Sequence, residues 1–212
     1  MRFVSRIVTR LETENYLVRV GVDGEGDGRG GGFGYGSGSG GGNGDGTGGS
    51  HRGKPRLRVH EPSLLLSAWE EEYDFSKHTL IRGNVAARSG DALARFVSDT
   101  LSAANIEHAA TGLAAAWQMT HFAMFRIATF FVKDMPTEKL KAKLNFREDE
   151  RAGNLWFAVP NDDGVFLGAA PRDGILCVHP VQAYVDLKGH PERAKEAAEE
   201  LRSKLLSWQQ EP

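Results

Sequence analysis

Cysteine is nearly absent from this chain. Cys177 is the single one in 212 residues, so no disulfide can form within it and no paired-cysteine zinc site is available. Long apolar runs are lacking too. The opening MRFVSRIVTRLE has no apolar core of signal-peptide or membrane-span length, and the chain reads as cytosolic. The histidines (His51, His60, His78, His108, His121, His179 and His190) are scattered, with no pair four apart around a glutamate, so no metal is expected. Charge of one sign is also missing overall, since 26 basic residues nearly balance 28 acidic ones. That balance hides an asymmetry. Residues 1–60 carry nine Arg/Lys against six Asp/Glu, and the remainder carries 17 against 22. A mildly basic front joined to an acidic body points toward nucleic acid at the N-terminal end only.

What is abundant is glycine, and it is concentrated. Sixteen of the 26 glycines lie between Gly24 and Gly49. Such a segment is too poor in side chains to form a core, and a disordered loop is expected over residues 23–53. Arg29, Phe33 and Tyr35 occur in it singly, without a repeated RGG unit, so it reads as a passive insertion. Loop-closure entropy grows logarithmically with length, and tens of extra residues cost on the order of 1–2 kcal/mol.

The flanks of the glycine run are more informative. Val4, Ile7, Val8 and Leu11 share one face of a helix expected over residues 3–14, while Arg2, Ser5, Arg6, Thr9 and Arg10 project from the other. Strands are expected over 16–22 (within NYLVRVGV) and 55–60 (within KPRLRVHEP), where Arg56 and Arg58 alternate with Leu57 and Val59. Helix, strand, loop and strand resemble the second half of a winged helix-turn-helix, with the glycine run as an expanded wing tip. Such a resemblance implies Arg2, Ser5, Arg6, Thr9 and Arg10 in a DNA groove and Arg52, Lys54 and Arg56 on phosphates. No helices precede the recognition helix in this sequence, and the true start is expected further upstream. The alternative is an amphipathic helix and hairpin that cap the main domain, their arginines merely solvated.

From residue 61 to 212 the punctuation is that of a mixed α/β (α+β) domain. Pro62 suits the first turn of a helix carrying Leu65, Leu66, Trp69 and Tyr73, and Ser89 with Asp91 starts a helix with Leu93, Phe96, Val97 and Leu101 as its buried stripe. A short strand near IEHAA, the small-residue helix TGLAAAWQM and the apolar run FRIATFFV follow, the last reading as a central strand buried on both faces. TEKLKAKL, NLWFAVP and GILCVHP continue the alternation. Pro180 and Pro191 sit at expected helix starts, the second for a helix packing Ala194, Ala197, Ala198, Leu201 and Leu205.

Five segments in order, LLLSAWEEEYDF, AATGLAAAW, GNLWFAVPNDDGVF, VHPVQAYVDL and ERAKEAAEELRSKLL, resemble the landmarks of the AbiEi-type antitoxin family, the transcriptional regulators of type IV toxin-antitoxin systems. The likeness covers Glu61 to Trp208, with the partial winged helix of residues 1–60 in front. It implies a cytoplasmic DNA-binding regulator that represses its own operon at an operator. It also implies a nucleotidyltransferase-type toxin as functional partner, counteracted without a stable complex. The turn KGHPER departs from the glycine and arginine-rich turn usual there.

Enzyme readings find little support in the residues. HAATGLAAAW before FRIATFFV has the cadence of a nucleotidyltransferase fold, which needs paired carboxylates for Mg²⁺ on the strand. Here Phe130, Phe131 and Val132 occupy it, with Asp134 beyond, so a degenerate, noncatalytic relative of that fold is the architectural analogy, and no cofactor is expected. A divergent enzyme is the less favoured alternative, and a noncatalytic interaction module without DNA binding is the other. Cys177 in an apolar strand reads as a small buried residue, and Asp162 and Asp163 before Gly164 as a turn. Gln182 and Asp186, four apart beside Tyr184, share a helix face and are expected to hydrogen-bond within the structure.

Overall fold

The computed structural model describes residues 9–20 and 56–208, and the chain divides into two compact units, one ending at Pro62 and one beginning at Ser63. In the first unit residues 9–13 are helical (α1). Asn15, at a φ of 61°, adopts the left-handed conformation that stops a helix, and the Tyr16 N–H returns to the Leu11 carbonyl at 2.8 Å. The chain then enters β1 (Leu17–Val20), which pairs antiparallel with β2 (Arg56–Val59) so that Leu17 faces Val59 and Val20 faces Arg56. Of the helix expected over 3–14, the described part is its last turn. The segment 23–53 lies outside the described residues, as do Arg2, Ser5, Arg6, Arg52 and Lys54.

The second unit is the expected mixed α/β domain. In chain order it runs α2 (Pro62–Glu72), β3 (Thr79–Asn84), α3 (Gly90–Ala103), β4 (His108–Thr111), α4 (Gly112–Thr120), β5 (Ala128–Val132), α5 (Glu138–Leu144), β6 (Arg147–Glu148) and β7 (Leu155–Val159). It closes with β8 (Ala170–Arg172), β9 (Ile175–Cys177), α6 (Pro180–Asp186) and α7 (Ala194–Leu205). Seven strands form one sheet in the order β6-β3-β7-β5-β4-β9-β8. β5 lies at its centre, parallel to β7 and antiparallel to β4, and every residue of ATFFV is buried, as a run without alternation requires.

Alternation along the strands sorts the side chains onto two faces. His108, Ala110, Phe130, Phe157 and Cys177 fall on one face by register, and α3 covers it through Leu93, Val97 and Leu101. Ser89 caps α3, its hydroxyl accepting the Ala92 N–H at 3.1 Å. Thr111, Thr129, Phe131, Trp156 and Arg82 fall on the opposite face, which α4, α6 and α7 approach as a mutually packed group.

Several expectations are corrected. Phe96 is 42% exposed, because the arc that α3 buries runs through Leu93, Ala94, Val97, Ser98 and Leu101 and leaves Phe96 outside it. Trp69 and Leu205 are also exposed, and Leu206, just past the end of α7, is buried instead. Pro191 does not begin α7, which starts at Ala194 after a turn. The strand β3 had no counterpart in the sequence reading.

Candidate functional site

Three groups of residues can be weighed as a site. The first is the basic surface of the N-terminal unit. Thr9 and Arg10 are exposed on α1, and Arg10 holds Glu14 at 2.8 Å in a solvent-exposed ion pair of the kind worth about 0–1 kcal/mol. Arg56 is exposed on β2, on the same ribbon face as Arg58, two residues on. Arg19, on the opposite ribbon face, directs its guanidinium back at the helix and takes both Glu12 oxygens, at 2.6 and 3.1 Å. That clasp ties helix and ribbon together and raises the Arg19 pKa through the hydrogen bond to Glu12. Among the described candidates, Thr9, Arg10 and Arg56 therefore sit on one helix-and-ribbon unit.

The second group is a buried polar network on the α6 side of the sheet. Asp186, 1% exposed at the end of α6, accepts hydrogen bonds from the Tyr73 hydroxyl, from the Thr111 hydroxyl and from Gln182 Nε2, the last at 2.8 Å. Gln182 also reaches the Tyr73 oxygen at 3.1 Å, so the expected bond within α6 is one strand of a larger web. Tyr73 contacts His78 Nε2 at 3.0 Å, and His78 Nδ1 accepts the Asn161 N–H at 3.3 Å, which places the ring proton on Nε2. Burial pushes the Asp186 carboxyl up to about 7 despite its three donors. Burial also raises the Tyr73 phenol, helped by Asp186, and lowers His78, leaving the ring neutral at neutral pH. The web joins the end of α2, the start of β3, the end of β4 and α6.

The third group adjoins it. Arg82 and Trp156 are register partners on β3 and β7, and the Arg82 guanidinium carbon lies 4.4 Å from the indole centroid. His190 lies near the same indole, ring centroids 5.1 Å apart. Its Nε2 meets the Thr129 hydroxyl at 3.2 Å and its Nδ1 the Pro191 carbonyl at 3.0 Å, and burial lowers its pKa. Gly112 lies beside that ring at a φ of +55°, a left-handed conformation that favours glycine. Lys188 donates to the Glu70 and Glu71 carbonyls at the end of α2. A cavity of about 420 Å³ opens between these groups, walled by Tyr73, Phe75, Leu80, Arg82, Trp156 and His190, with Asp74, Ser76, Asp186, Lys188 and Gly189 completing the lining.

Sequence reasoning singled out Gln182 and Asp186 but missed Arg82, Trp156 and His190. For His190 the signal lay in the turn KGHPER, which delivers Lys188, Gly189 and His190 to the cavity wall, and nothing local marked Arg82 or Trp156. The dismissed residues behave as read. Asp162 accepts the Gly164 N–H at 2.7 Å in a turn, and Cys177 is buried, its thiol pushed up to about 12 by desolvation. Among the described residues no cluster of three His, Cys, Asp or Glu could hold a metal ion, and no helix is long and apolar enough to cross a membrane. Compared with known proteins, the chain matches no family model, no curated sequence and no solved structure, so its function has to be argued from this geometry.

Proposed function

We propose that this chain is a DNA-binding transcriptional regulator and antitoxin of the AbiEi type, acting at the operator of its own operon and against a nucleotidyltransferase-type toxin. The observation that carries the reading is the N-terminal unit. A helix runs through a tight left-handed turn into a two-stranded antiparallel ribbon, and both elements present arginines. This is the order of parts in which winged-helix proteins put a helix in the major groove and a basic wing on the adjacent backbone. The exposed Arg10–Glu14 pair is weak enough to yield to a phosphate, to which Arg10 can make a charge-assisted bond of the same kind.

The second unit supports the same reading in a different way. The segments that carry the family resemblance are far apart in sequence, yet Tyr73, Thr111, Trp156, Gln182 and Asp186, drawn from four of them, converge on one side of the sheet. They belong together physically as the supports of one polar face.

A titration of the intact chain against the DNA upstream of its own reading frame and against a scrambled duplex, at two salt concentrations, tests the proposal. Preference for the upstream duplex is expected. Arg56→Ala should weaken binding to both duplexes and reduce the salt dependence, as loss of a phosphate contact does. Equal, nonspecific binding to both duplexes would reject DNA regulation and leave the noncatalytic interaction module. The antitoxin part is tested by expressing the product of the adjacent reading frame with and without this chain, where growth arrest that the chain relieves is expected.

A further inference from the structure

We propose that the cavity walled by Arg82 and Trp156 binds a small organic anion, its phosphate or carboxylate group on the Arg82 guanidinium and its apolar body against Phe75 and Leu80. The starting observation is an unmet donor on a partly buried arginine. Arg82 Nε is buried with no hydrogen-bond partner, and the guanidinium makes no hydrogen bond or ion pair among the described residues. A guanidinium carries five N–H donors in a planar fork, and stacking on Trp156 uses none of them. Arg82 is partly buried, and leaving its Nε donor buried without a partner is costly, whereas a methionine or leucine could pack on the same indole without stranding a donor. The fork is matched by the two oxygens of a carboxylate or phosphate, which it binds bidentately.

Two cations, Arg82 and Lys188, face one firmly ionised carboxylate in the lining, Asp74, whose oxygens are engaged by Ser76. Asp186 has its oxygens occupied by Tyr73, Thr111 and Gln182. His190 is saturated by Thr129 and the Pro191 carbonyl, so it shapes the wall and leaves the fork of Arg82 uncontested. About 420 Å³ is more than a bare ion fills and falls within the range of small-molecule pockets, roughly 300–1,000 Å³. Phe75 and Leu80, both partly buried, supply the apolar wall that an anion with a ring or short chain would cover. The site stands independently of the DNA-binding reading.

The test is calorimetric titration and thermal melting of the intact chain with phenyl phosphate, benzoate, inorganic phosphate and benzyl alcohol. One-to-one binding of phenyl phosphate, benzoate or both is expected, with a raised melting temperature and no response to benzyl alcohol. A response to phenyl phosphate alone assigns the phosphate class, and one to benzoate alone the carboxylate class. Arg82→Met should weaken binding by at least about tenfold, and Arg82→Lys, which keeps the charge without the fork, should fall between. Without ligand, Arg82→Met should melt at or above the wild type. Ser76→Trp, at the exposed rim, should block binding while leaving Arg82 in place. The proposal is overturned if no ring-bearing anion binds, if Arg82→Met binds as the wild type does, or if unliganded Arg82→Met melts well below it. Inorganic phosphate binding as tightly as phenyl phosphate would overturn the role given to the apolar wall.

Discussion

The two faces of the seven-stranded sheet are built from the same strands, residue by residue in alternation, yet they are chemically unlike. Under α3, Phe130, Phe157, Ala110 and Leu155 meet Leu93, Val97 and Leu101, and the buried polar pair of His108 and Ser98, 3.3 Å apart, is enclosed among them. On the other side, Thr111, Thr129, Trp156 and Arg82 alternate with those same residues and meet Tyr73, Gln182, Asp186 and His190. One face excludes water and supplies stability. The other holds a satisfied polar web, a partly buried arginine whose Nε has no partner, and a cavity, features that cost folding energy and are useful when something binds. Within the second unit, the contrast teaches where a ligand has room to bind: on the α6 side, not beneath α3.

The largest effect expected from testing this contrast is on the apolar face. Phe130→Ala removes a fully buried ring at the centre of the sheet and should cost about 3–5 kcal/mol in denaturant unfolding. A loss no larger than that of a polar-face truncation would undo the contrast.

Next comes Asp186. Asp186→Ala strands the donors of Tyr73, Thr111 and Gln182 and should cost about 1–3 kcal/mol. Its titration gives a sharper signature. Burial lifts the folded carboxyl to about 7, above its value in the unfolded chain, so the folded state retains a proton that the unfolded state has released. The stability from this group is full in acid and is lost as pH rises toward and through about 7. Unfolding at about pH 5 and about pH 8 should show the wild type losing stability relative to Asp186→Asn, in which this group no longer titrates. A constant difference between the two proteins would show that the carboxyl is already ionised at the lower pH.

A smaller effect is expected at the helix that seals the apolar face. Ser89→Ala removes the cap on the Ala92 N–H and should cost about 1 kcal/mol, read as a fall in the unfolding midpoint without a change of slope. The smallest is at Cys177, whose buried thiol is held protonated by desolvation. A thiol reagent should modify it at the rate of unfolding and no faster, and Cys177→Ala should leave the fold unchanged. Rapid modification of the folded chain would mean that the apolar face is open to water.

Local signals in the sequence marked much of this architecture. The run ATFFV announces a strand buried on both sides because it puts apolar residues on both alternating faces, and Ser89 and Pro180 announce the starts of α3 and α6 by their backbone chemistry. Gln182 and Asp186 were legible as a pair because helical spacing alone brings them together. By contrast, TLIRGN gives β3 no pattern, since Arg82, Gly83 and Asn84 are poor strand formers. Gly83 is held there by close packing: a Cβ on it would lie 2.4 Å from the Phe146 ring. Nothing local relates Arg82 to Trp156 or Trp156 to His190. The sequence by itself determined the elements whose causes lie within a turn or two of chain: the caps, the buried strand, the amphipathic helices and the concentration of glycine. Only the tertiary structure decided which polar side chains share a cavity. Strand register and the α6–α7 turn assemble that cavity from distant residues, and no periodicity records which strand will become whose neighbour.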